Sequence, residues 1–93
     1  MKKVCIVGGK RIPFARSGGA YLTLGNRELM SAALTHLVDE FNLKGKSVGE
    51  VSLGAVLKHS YDFGLARECT LNSGLSWETP AYDVQKACGT SLE

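Results

Sequence analysis

Ala81-Tyr82-Asp83-Val84-Gln85-Lys86-Ala87-Cys88-Gly89-Thr90-Ser91 opens as a short extended run after Pro80 and closes in residues that favour turns and helix starts. The first half predicts a strand over 81–85, and the second places Cys88 directly behind it, where Gly89-Thr90-Ser91 predict a helical turn. Upstream, residues 63–72 predict a short helix with Asp62 as its N-cap and with Leu65, Ala66 and Cys69 on one buried stripe. Asn72-Ser73-Gly74 is its stop. Residues 51–57 form a second strand-like segment, with Gly54 inside it where a neighbouring backbone or side chain approaches closely. Lys58-His59-Ser60-Tyr61 leave that strand as a loop.

Further back, Met30, Ala33, Leu34, Leu37, Val38 and Phe41 recur at spacings of three and four. They predict a helix capped by Asn26, running to Phe41 and ended by residues 42–49. Residues 12–25 carry Pro13, Gly18, Gly19 and Gly25, which predict a long loop of the kind that often serves function. Val4-Cys5-Ile6-Val7, closed by Gly8-Gly9, is a continuous apolar run that predicts a strand buried on both faces. Strand, helix, strand, helix, strand is the order of a parallel sheet with helical crossovers, so the fold class is α/β. Only five residues follow Cys88, too few for the helix expected there, and residues 1–93 read as an incomplete domain, the N-terminal piece of a longer protein.

The 93 residues allow one small domain, and 44% hydrophobic with 22% charged residues is a globular composition. No apolar run approaches the roughly 18 residues of a membrane span. Lys2-Lys3 followed by residues 4–7 is too short an apolar stretch for a signal peptide, so secretion is not expected. Three cysteines without CxxC spacing suggest neither a disulfide framework nor a zinc site, and read as reduced thiols in a cytoplasmic setting. A net charge of +2 is too small to imply nucleic acid. Lys2, Lys3, Lys10, Arg11 and Arg16 nevertheless bias the first sixteen positions toward a phosphorylated small ligand.

Cys88 is the candidate for chemistry. At a helix start, backbone N–H groups would point at its sulfur and favour the thiolate, the form that attacks electrophiles. Cys5, in a buried strand, and Cys69, on an inner helix face, read as small buried hydrophobes. His59 lies just past the second strand, at the edge where open α/β sheets bind ligands. No carboxylate suggests itself from the sequence as an orienting partner for its ring, so it is a candidate for binding or an interface rather than a catalytic base. His36 takes a partly exposed structural place on the long helix, and Trp77 is expected to cover a hydrophobic edge. A dinucleotide site is not expected, because G-x-G-x-x-G is absent after the first strand.

Together these segments resemble the amino-terminal part of the thiolases, the acyl-CoA C-acyltransferases. The resemblance covers nearly the whole chain. Val7-Gly8-Gly9-Lys10-Arg11-Ile12-Pro13-Phe14 with Gly18-Gly19 is similar to the family's opening strand and R-x-P-F loop, and residues 83–93 are similar to its nucleophile segment. Gly54-Ala55-Val56-Leu57-Lys58-His59-Ser60 resembles the 3-ketoacyl-CoA branch related to β subunits of fatty-acid oxidation complexes. One departure is Ser91, where many thiolases read C-x-S-G with glycine, and it bears on packing beneath the cysteine.

The resemblance implies a two-step acyl transfer in which Cys88 holds the acyl group as a thioester and its backbone N–H serves as one oxyanion donor. Acyl-CoA and coenzyme A are the substrates and products, with no metal or redox cofactor. Acid–base histidines and a second cysteine come from later in the family's chain, so these 93 residues alone are not expected to turn over. A homodimer or homotetramer is implied, in some members as a subunit of a fatty-acid oxidation complex. Two other readings fit the same residues: a carrier-dependent condensing enzyme of the ketoacyl-synthase kind, and a non-catalytic binding module that keeps the half-fold.

Overall fold

The computed structural model describes residues 2–93. Two helices and two strands carry the architecture: α1 (Asn26–Glu40), β1 (Val51–Leu53), α2 (Leu65–Asn72) and β2 (Ala81–Asp83). Short 3₁₀ turns lie at Ser60–Asp62 and Ala87–Leu92. β1 and β2 pair in parallel with Val51 opposite Ala81 and Leu53 opposite Asp83, and α2 is the crossover between them. The class is α/β, as the alternation of segments predicted.

The core forms where α1 meets the sheet. Val38, Val51 and Leu75 are buried together, with Leu34, Leu43, Val48, Leu53 and Ala81 packed around them. The periodic face of α1 is therefore the inner one, although Met30, Ala33, Leu34, Leu37 and Phe41 are only half-buried. In α2 the predicted stripe is fully realised: Leu65, Ala66 and Cys69 are inaccessible to solvent. α2 ends at Asn72 with Ser73 as its C-cap, and Gly74 takes φ +93, a left-handed backbone that an L side chain resists and glycine accepts.

Several boundaries differ from expectation. Gly25, not Asn26, caps α1, and its N–H donates to the Glu28 carboxylate at 3.0 Å. Glu28's own N–H and that of Gly25 hold this carboxyl below its usual range. The Asn26 side chain is thereby free for tertiary contacts, donating to Leu57 O at 2.8 Å and to Asp62 Oδ2 at 3.0 Å. Asp62 is not an N-cap of α2 either. It is buried at the end of the 3₁₀ turn, accepts the His59 N–H, and α2 starts after Gly64.

Residues 4–7 are the largest departure. They form no strand, and Val4, Ile6 and Val7 are 93%, 97% and 78% exposed. Cys5, expected inside, is exposed as well. A strand apolar on both faces needs a sheet neighbour and a layer on each side, and two strands of three residues supply neither. Trp77 covers no edge and is 74% exposed; what the fold uses is its backbone carbonyl, which with that of Thr79 accepts the Arg67 guanidinium. No helix among the described residues is long and apolar enough to cross a membrane.

Candidate active site

Because β1 and β2 are parallel, the chain leaves both at the same edge of the sheet. The two predicted strands are shorter than expected, ending at Leu53 and Asp83, and the physical reasons for both ends define the site. At the first, Gly54 has no room for a side chain: a Cβ there would stand 2.1 Å from Val84 O and 2.5 Å from Thr90 Cγ2. The close approach expected at this glycine is therefore made by the segment that leads to Cys88.

At the second end, Asp83 turns its carboxylate to α2. Oδ1 accepts the Ala66 N–H at 2.8 Å, Oδ2 accepts the Leu65 N–H at 3.2 Å, and Lys58 Nζ pairs with Oδ2. Gly64 has no side chain to satisfy the first amides of α2, so a carboxylate from eighteen residues downstream does so. Burial alone would raise the Asp83 pKa, but the Lys58 ammonium and the two amides outweigh it and hold the carboxyl below its ordinary value.

The sign of the pH effect follows. A carboxyl depressed in the folded state contributes stability that is complete above the unfolded value of about 3.9 and is lost as pH falls through the lower folded value. Acid unfolding of the wild type is expected to steepen below about pH 4, and Asp83→Asn to flatten it. Thermal melts followed by circular dichroism across that range are the check.

Beyond Asp83, the Val84 N–H donates to Leu53 O at 2.9 Å and Gln85 Nε2 donates to Val56 O at 2.9 Å, tying the two exits together. Ala87 then takes φ +47, a left-handed conformation that costs an L residue roughly 1–2 kcal/mol. Cys88 follows it, exposed and unbridged. The helical turn expected here is a 3₁₀ turn, and the Gly89 N–H donates to Lys86 O at 2.9 Å instead of pointing at the sulfur. Ser91 is exposed in the same turn.

His59 leaves β1 toward the edge from which Cys88 leaves β2. Its ring stacks on Tyr61, with centroids 5.4 Å apart, and it lines a groove with Lys58, Ser60, Phe63 and Gln85. Cys88 does not line that groove. His36 is exposed on α1. Cys69 is a poor nucleophile: burial pushes its thiol up, and it sits 3.7 Å from Arg27 O. Of the early basic residues, Lys10 is paired with Glu40, while Arg11 lies over the Phe14 ring at 4.8 Å. Arg11, Lys10 and Ile12 also line an apolar cavity of about 340 Å³ against α1.

Sequence reasoning missed Asp83, Lys58 and Thr90. Asp83 and Lys58 are 25 positions apart and meet only because their strands lie side by side; the available signal was a lone carboxylate at the end of an apolar strand. Thr90 was visible only as part of a helix-start cluster.

Comparison with known proteins gives the family. The pattern described as "Thiolase, N-terminal domain" matches residues 4–93. The chain is 37% identical over 91 residues to the mitochondrial trifunctional enzyme subunit beta of Mus musculus, covering 98% of this chain and 19% of that protein. It is 33% identical over 91 residues to a 3-ketoacyl-CoA thiolase of Photorhabdus laumondii, with 98% and 21% covered. It is 29% identical over 91 residues to an acetyl-CoA acetyltransferase of Syntrophomonas wolfei, with 98% and 23% covered. The chain thus spans about a fifth of the length of these relatives. With the parallel β1–β2 pair and the exposed cysteine behind it, these matches settle the assignment: the chain belongs to the thiolase family, and residues 4–93 match sequence of its N-terminal domain.

Proposed function

We propose that this chain supplies the nucleophile of an acyl-CoA C-acyltransferase. The observation that supports this best is the placement of Cys88: exposed, directly after left-handed Ala87, at the carboxyl edge of a parallel strand pair in a thiolase N-terminal sequence. In thiolysis, the Cys88 sulfur attacks the 3-keto carbonyl of a 3-ketoacyl-CoA. The bond between C2 and C3 breaks, its electron pair stays on C2, and a proton delivered there releases acetyl-CoA. The thiol of free coenzyme A then attacks the acyl–Cys88 thioester and leaves with the shortened acyl group, returning a proton to Cys88. Condensation is the reverse, with acetyl-CoA loading Cys88.

The Cys88 backbone N–H is one oxyanion donor in this scheme; the proton carriers and the other donor come from outside these 93 residues. Coenzyme A is substrate and product, not a resident cofactor. Exposed Val4, Ile6, Val7 and Phe14 form apolar surface that further protein covers, in keeping with a homodimer or homotetramer or with a subunit of a fatty-acid oxidation complex. The mouse relative, named as a trifunctional enzyme subunit, favours the last of these.

The test is acceptor choice. Full-length protein loaded with an acetyl group on Cys88 is offered free coenzyme A. Transfer to form acetyl-CoA is the expected result, whereas retention until an acyl-carrier protein is added would overturn thiolase chemistry in favour of a carrier-dependent synthase.

A further inference from the structure

Ala87 precedes the proposed nucleophile in a conformation that L residues avoid, so something must hold it there. The group that does so is the Thr90 hydroxyl. It donates to Ala87 O at 2.7 Å and accepts the Lys86 N–H at 2.9 Å, closing a ring of contacts around residues 86–90 with Cys88 at its outer point. Thr90 is itself 7% exposed, and its methyl group lies in the notch left by the missing side chain of Gly54. The hydroxyl is therefore fixed from below by packing and bonded to the strained residue's own carbonyl and to the N–H of the residue before it.

We propose that Thr90 is a positioning residue for acyl transfer: its hydroxyl locks the left-handed turn at Ala87 and so sets the height and direction of the Cys88 sulfur. The proposal rests on Cys88 being the acyl acceptor. Reaction with an extended acyl-CoA needs the sulfur aligned with a carbonyl held elsewhere, whereas reaction with a small diffusible alkylating agent needs only exposure. Loss of the lock should therefore separate the two.

The experiment compares Thr90→Val, which keeps the shape and loses the hydroxyl, with Thr90→Ser, which keeps the hydroxyl and loses the methyl, in the full-length protein. Three quantities are read: acetylation of Cys88 by acetyl-CoA, its alkylation by iodoacetamide, and hydrogen exchange of the Lys86 amide. Thr90→Val is expected to lower the saturating acetylation rate roughly 10- to 100-fold with little change in half-saturating acetyl-CoA, to leave alkylation within about threefold, and to deprotect Lys86, while Thr90→Ser stays near wild type on all three.

Equal losses in Thr90→Ser and Thr90→Val would overturn the lock in favour of simple packing against Gly54, as would unchanged acetylation in Thr90→Val. Should Thr90→Val not fold, Thr90→Ala carries the same expectation with the crowding at Gly54 removed. A wild-type protein whose Cys88 alkylates but never acetylates would refute the acyl-acceptor reading instead, and Lys86 exchange then decides the lock by itself.

Discussion

Asp83→Ala is expected to destabilise the folded protein by roughly 2–4 kcal/mol, read from the shift of a denaturant midpoint. Two losses coincide. The first is the partner of Lys58: both side chains are about 22% exposed, so the orphaned ammonium is only partly rehydrated. Breaking a fully buried pair costs about 3–5 kcal/mol, and the residual exposure places this one lower. The second is the cap. With Gly64 at the head of α2, the Leu65 and Ala66 amides lose the Asp83 carboxylate that accepts from both, a loss worth about 1 kcal/mol in ordinary caps. Asp83→Asn, which keeps an acceptor and loses the charge, should fall between the wild type and alanine. A change below about 0.5 kcal/mol for alanine would mean that the carboxylate is an ordinary surface group.

Gly54→Ala is expected to be the other severe substitution. Its new methyl group would lie 2.1 Å from the Val84 carbonyl oxygen and 2.5 Å from Thr90 Cγ2, and the first of these is backbone that cannot rotate away. Relief requires β2's exit to move off β1's, so a cost of about 1–3 kcal/mol or more is expected, together with slower acyl transfer at Cys88. Gly49→Ala is the control, because nothing lies within 4 Å of its added Cβ. It should change stability by no more than about 0.5 kcal/mol. Equal effects at the two positions would contradict the close packing described between Gly54 and the Cys88 segment.

The contrast between these residues explains what the sequence could reveal. Local pattern was enough for α1, whose apolar spacing matched its inner face. It was also enough for the Leu65, Ala66 and Cys69 stripe, for the stop at Gly74, and for the close approach at Gly54, since each is dictated by neighbours within one or two turns or by the absence of a side chain. Residues 4–7 failed for the opposite reason. Their apolar run states a demand for burial that the described two-stranded sheet does not meet, so composition alone overstated their structure.

The site was legible in identity more than in construction. Cys88 could be singled out from its place behind a strand, and His59 was placed at the same edge. The carboxylate that supports that edge was not, because a helix cap supplied by Asp83 from across the crossover leaves no short-range signature. Nor was the left-handed turn at Ala87, where no glycine marks the spot and the stabilising hydroxyl arrives three residues later.

Cys88 as acyl acceptor is the claim on which the functional account depends, and intact-mass spectrometry of the full-length protein with and without acetyl-CoA, followed by peptide mapping of its cysteines, tests it most directly. The account predicts one added acetyl group, found on Cys88, absent from Cys5 and Cys69, and lost in Cys88→Ser. An unmodified Cys88, or an acetyl group spread over exposed Cys5 and Cys88 alike, would contradict it and leave the chain a thiolase-family domain without the proposed chemistry.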